Sequence, residues 1–131
     1  MIKPIALPCL FTVLMLIACT AITTKTPDGL EVTRSRDEFE QYVESVFRRQ
    51  NQASLEVGQM LDDAVASPRE RLALETAEQK MLVACDALNQ VAHQRMEQND
   101  PGIVLKIEVK NTIGDCDFAT RELERLIEAR E

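Results

Sequence analysis

Tryptophan is absent, tyrosine occurs once (Tyr42), histidine occurs once (His93), and acids outnumber bases by 22 to 15. Each shortage removes a class of function. Without tryptophan and with one tyrosine there is no aromatic platform on which bases or sugars could stack. Proteins that neutralise phosphates cluster lysine and arginine. Here the basic pairs Arg34/Arg36, Arg48/Arg49 and Arg69/Arg71 are diluted by Asp37, Glu38, Glu40, Glu44 and Glu70. Nucleic acid is therefore not an expected partner, and electrostatic docking on anionic lipid is weakened by the same balance. A single histidine, no Cys-x-x-Cys, no Gly-x-Ser-x-Gly, no phosphate-binding loop and no His-Glu-x-x-His leave no nucleophilic triad or metal-ligand set. Acidic pairs such as Asp62/Asp63, Asp115/Asp117 and Glu122/Glu124 are expected from composition alone, and residues two apart on a helix point to different sides. The chain is expected not to be an enzyme, and neither a cofactor nor a metal is expected.

What is present begins at the N-terminus. One cation, Lys3, precedes fourteen uncharged and mostly apolar residues, Ile5 to Ala18. That run is shorter than the roughly 20 residues of a membrane span and fits the core of a secretion signal. It ends Leu16-Ile17-Ala18-Cys19. These four residues, in that position, resemble the lipobox of bacterial lipoproteins. The resemblance implies that residues 1–18 are a signal peptide, removed by cleavage before Cys19, and that Cys19 is the lipidated residue. It also implies, because Thr20 is not aspartate, transfer to the outer membrane, with the protein facing the periplasm. Two alternatives stand beside it: an uncleaved anchor, since residues 4–24 carry no charge, and an ordinary secretory signal cut at a small-residue site. An acyl chain contributes about 0.8 kcal/mol per buried methylene, and two or three chains on one residue anchor a domain stably. Loss of Lys3 with the signal takes the formal charge from −7 to −8.

The remaining chain is one small domain. Residues 20–34 show no helical period and contain the turn signal Pro27-Asp28-Gly29, so 19–34 reads as a lipidated N-terminus and flexible tether. Fifteen extended residues would reach about 50 Å. Residues 35–131 read as the bundle domain. Ser35-x-x-Glu38 and Ser67-Pro68-x-Glu70 are capping boxes that start helices. From Phe39 to Ala64 apolar residues recur at alternating steps of four and three, interrupted by Gln50. Gly58 within this helix implies a close approach to another helix. The second helix, from Leu72 to Met96, carries a broader apolar stripe, as a helix packed from two sides requires, and is expected to be central. Asn99-Asp100-Pro101-Gly102 stops it and can start a third helix with Asp100 as its cap. Residues 103–110 alternate and are β-branched, which leaves a strand as the alternative to helix over 102–113. Helix is preferred because no partner strand is apparent. The expected fold is all-α: a three-helix antiparallel, up-down-up bundle of helices over about 35–65, 67–98 and 101–129.

Cys9 leaves with the signal and Cys19 carries lipid, so Cys85 and Cys116 remain in an oxidising compartment. In an antiparallel hairpin the numbers of facing residues add to a constant, near 201 for a turn at Asp100/Pro101, and 85 and 116 satisfy it. The register therefore favours a disulfide over two separate buried thiols, and the bridge is worth roughly 3 kcal/mol by chain entropy. The function that fits these features is a non-enzymatic envelope lipoprotein, held to the membrane through Cys19, whose helices bind another envelope protein as adaptor, accessory or structural element. The alternative is an inhibitor or immunity-type protein that masks a periplasmic enzyme or toxin, steered by its acidic charge.

Cys19→Ser should leave the protein as an unprocessed precursor or as a soluble periplasmic form. Fatty-acid labelling and membrane fractionation check this, and undiminished label on the variant would show that Cys19 is not the acylated residue.

Overall fold

A computed structural model describes residues 21–62 and 66–130. Cys19, the signal at 1–18 and Asp63 to Val65 lie outside the described residues. The elements are strands β1 (Ile22–Lys25) and β2 (Glu31–Arg34), then helices α1 (Arg36–Asp62), α2 (Pro68–Ala84), α3 (Asp86–Met96) and α4 (Ile103–Glu128).

The helix starts follow from the caps read in the sequence. The Glu38 amide donates to Ser35 Oγ at 3.2 Å while the Ser35 amide donates to Glu38 Oε2 at 2.7 Å. Ser67 and Glu70 repeat the exchange at 3.3 and 2.7 Å, with Pro68 in the first turn. Each pair satisfies two amides that the first turn leaves unbonded. On α1 the residues Val46, Gln50, Ala53 and Val57 are buried, and they are the stripe the four-three spacing marks out. Against them lie Leu74, Met81, Leu88 and Val91, and from α4 Val109, Ile113, Leu123 and Ile127. The chain runs up along α1, down along α2 and α3, and up along α4. Residues 103–110 are helix, and the strand alternative is set aside.

Four features depart from the expected bundle. The second helix is divided at Cys85, whose φ of −95° and ψ of 6° lie off the helical values. The hydrogen-bond ladder continues through it, since the Cys85 amide donates to Met81 O and the Asn89 amide to Cys85 O, both at 2.9 Å. The departure is thus a local break at the cross-linked residue, not a turn. The third helix is capped by Gly102 instead of Asp100, which pairs with Lys106 Nζ at 2.8 Å. Gln98, at φ 61°, provides the left-handed residue that ends α3.

Most consequential, the supposed tether is a β-hairpin from Ile22 to Arg34. Ile22 pairs with Arg34 and Lys25 with Glu31. Gly29, at φ 81°, closes the turn by donating to Thr26 O at 2.9 Å. Ile22, Thr24, Val32 and Arg34 share the face with less exposure, as a period of two requires. The short threonine-rich strands carry too few apolar residues to stand out in the sequence, and they are held by packing on α4.

The fourth departure concerns the glycines. Gly58 is exposed and a side chain there would meet nothing within 4 Å, so the close approach expected of it does not exist. The close approach is at Gly114 instead. A Cβ added there would stand 2.4 Å from the Lys25 carbonyl oxygen. The hairpin crosses α4 at the one position that lacks a side chain to block it.

Gly114→Ala should destabilise the fold by about 1–3 kcal/mol, because backbone must move to admit the methyl group. Gly58→Ala should stabilise it by about 0.5–1 kcal/mol through helix propensity and chain entropy. Denaturant unfolding of the two variants checks both signs, and a neutral Gly114→Ala would show that the hairpin does not pack there.

Candidate functional site

The predicted cysteine pair is bridged: Cys85 and Cys116 form a disulfide with Cα atoms 4.6 Å apart. Both are buried. The bridge ties the break between α2 and α3 to the middle of α4 and closes a loop of 31 residues. Cys19, the expected lipidation site, is among the undescribed residues.

Next to Cys116 lies a polar cluster that the sequence did not mark. Asp117 is fully buried, and its carboxylate accepts from three side chains. Tyr42 Oη donates to Oδ2 at 2.9 Å, Arg49 Nη1 to Oδ1 at 2.8 Å and Arg121 Nε to Oδ1 at 3.0 Å. Arg49 also forks onto Glu124, at 2.9 and 2.5 Å. The bidentate geometry is one that arginine alone supplies. Burial pushes the Asp117 carboxyl up, but the bonds from Arg121, Tyr42 and Arg49 outweigh it and hold it below the ordinary carboxylate range. Burial and the hydrogen bond to Asp117 push the Tyr42 hydroxyl above its usual value. The Arg49 guanidinium, held first by Glu124, stays charged. Above Tyr42 the Arg34 guanidinium stacks 4.2 Å from the ring centre, and Arg34 donates to Thr24 Oγ1 at 2.7 Å. The cluster thus locks hairpin, α1 and α4 together. Its bonds run between its own members and join the three elements.

A second polar contact is interior. Gln50, which interrupts the stripe of α1, is buried and donates to Asn89 Oδ1 on α3. The acidic pairs divide as helix geometry requires. Asp117 and Glu124 face α1, while Asp115 and Glu122 face the opposite side of α4. His93 is exposed and lies 3.5 Å from Glu97. Among the described residues, no three His, Cys, Asp or Glu side chains converge on a metal-sized point, and no helix is long and apolar enough to cross a membrane.

Two surfaces remain as candidates. The first is a groove of about 740 Å³ between α2 and α4, on the side away from α1. Leu72, Ala73 and Ala77 of α2 and Phe118, Ala119 and Leu126 of α4 line it. The second is the end of the bundle where α3 turns into α4. There Met96, Ile103, Val104 and Ile107 are each more than half exposed. Both surfaces are apolar and uncovered, the kind of feature that marks an interaction site. Leu72 and Met96 belong to the apolar stripe that the sequence assigns to the second helix, and both are exposed. No protein family, no curated protein and no solved structure matches the chain.

Asp117→Asn should cost about 1–3 kcal/mol, since a charge-assisted acceptor of three bonds becomes a neutral one. It should also alter the pH dependence. A depressed folded-state value means that the carboxylate stabilises the fold above its unfolded value near 3.8 and that this stability is lost as pH falls through the lower folded value. The variant should lose less stability below about pH 4 than the parent. Glu38 and Glu70, lowered by their bonds from Ser35 and Ser67, titrate in the same direction in both proteins and set the residual slope. Urea unfolding between pH 2 and 7 measures the difference, and parallel curves would exclude Asp117 as a source of acid lability.

Proposed function

We propose that the chain is a non-enzymatic envelope lipoprotein, anchored through acyl chains on Cys19 in the outer membrane on its periplasmic side, whose helical domain docks another envelope protein. The observation that carries the docking is the uncovered apolar end formed by Met96, Ile103, Val104 and Ile107. Four large apolar side chains at one end of a small acidic domain are costly to leave in water, at about 25 cal/mol per Å² of apolar surface. A protein partner covers them without requiring anything of the acidic surface elsewhere.

The hairpin changes how such a protein sits. With the tether replaced by strand from Ile22 onward, only Thr20 and Ala21 separate Cys19 from folded structure. Three extended residue steps span about 10 Å, not 50. A domain acylated at Cys19 lies close to the bilayer, and its partner is a membrane protein or another protein held at the same surface.

Tagged full-length protein, extracted from envelopes in mild detergent, should recover a defined set of envelope proteins. Val104→Ser/Ile107→Ser should lose them while retaining its helical circular dichroism. Recovery of a single basic hydrolase or toxin would favour the inhibitor reading instead. Identical recovery by parent and variant would remove the exposed end as the docking surface.

A further inference from the structure

The second helix carries more apolar residues than the fold uses. The breadth of its stripe calls for packing on two sides, yet the helix that is packed on several sides is α4, which meets α1, α2, α3 and β1. The surplus on α2 opens instead into the groove shared with α4, where Leu72 and Phe118 are 65% and 49% exposed. The floor is made of small residues, Ala73, Ala77 and Ala119, which leave room for another helix to approach.

The charges along this groove are arranged by wall. On the α2 wall stand Arg69 and Lys80, and neither forms an ion pair with a described residue. On the α4 wall stand Asp115, also without such a pair, and Glu122, which accepts from Arg125 of the same wall. The α2 wall is cationic and the α4 wall, with two carboxylates and Arg125, is acidic on balance, so the two walls are opposite in net charge. The heights agree as well. The Cys85–Cys116 bridge and the approach of Arg130 to Glu70, at 3.8 Å, set facing residue numbers near a sum of 200. Lys80 therefore stands level with residues 120–122 of α4.

We infer that the groove between α2 and α4 is the interface of a homodimer, in which a two-fold axis parallel to the helices lays α2 of each copy against α4 of the other. That operation preserves height. It places Lys80 of one copy level with Glu122 of its partner, twice, and covers Phe118 and Leu72 of both copies at two levels of the groove about 15 Å apart along the axis. Each α2 runs antiparallel to both α4 helices it touches, which gives an antiparallel four-helix bundle at the interface. An axis perpendicular to the helices would stack α2 on α2 and leave Lys80 and Arg69 facing cations. Charge order along the walls selects the first arrangement.

Sedimentation equilibrium of the full-length protein in density-matched detergent should give the mass of a dimer. Lys80→Glu and Glu122→Lys should each weaken it about tenfold or more, since like charges then meet twice, and the double variant should recover most of the loss. Phe118→Ala, which removes the largest apolar side chain of the groove, should weaken it by a similar factor. All three positions are exposed or half-exposed in the protomer, and circular dichroism confirms that each variant folds. A photo-crosslinking residue at position 118 should trap a second copy in cells. A monomer at about 100 μM protein, a dimer indifferent to all of these variants, or a crosslink from position 118 to a different protein would each overturn the proposal.

Discussion

The disulfide between Cys85 and Cys116 is the fixed point around which the other contacts are arranged. It sets the height of the descending helical segment against α4 near the middle of both. Once that height is fixed, the residues of α4 sort themselves by angle. One side of the helix turns Asp117 and Glu124 toward α1, and the other turns Asp115, Phe118 and Glu122 toward the groove. Gly114, two residues before the bridge, admits the hairpin. A bridge of this loop length contributes about 3–4 kcal/mol, which is a large part of what a domain of this size retains after chain entropy is charged against it.

Much of this was legible in the sequence because it depends on local rules. Both capping boxes form as their residues specify, and the stripe of α1 is buried where its spacing places it. The bridge was placed by the turn position once Cys85 and Cys116 were the remaining pair in an oxidising compartment, because antiparallel helices of equal rise keep facing residues at a constant sum. The hairpin was not legible. Its strands have four residues each and bury little apolar surface, and what holds them is the notch at Gly114, a contact between residues 89 positions apart. Gly58 and Gly114 look alike in a helical sequence, and only the neighbouring backbone distinguishes an incidental glycine from an obligatory one.

The polar cluster was missed for a related reason. Tyr42, Arg49, Asp117 and Glu124 come from two helices far apart in sequence, and no short motif joins them. A signal was nevertheless present. Tyr42 and Arg49 are seven apart, as are Asp117 and Glu124, so each pair lies on one face two turns apart. Two helices running the same way, each with a seven-residue polar pair beside its apolar stripe, can match those pairs at equal heights. The match also explains why α1 is parallel to α4. In the opposite direction Arg49 could not reach Asp117 and Glu124 while Tyr42 also reached Asp117.

The two long faces of α4 therefore obey different rules. Toward α1 the charges are matched within the protomer, where Arg49 gives three of its N–H donors to Asp117 and Glu124. Toward the groove the floor is apolar, while Arg69, Lys80 and Asp115 lack ion-pair partners among the described residues. A charge buried without a partner is costly, whereas the same charge at the rim of an open groove costs little until something covers it. Whatever covers this groove must bring opposite charges at the same heights, or the apolar gain is offset by desolvation. That requirement disfavours an uncharged apolar helix as occupant, and the chain's own α4 offers Glu122 level with Lys80.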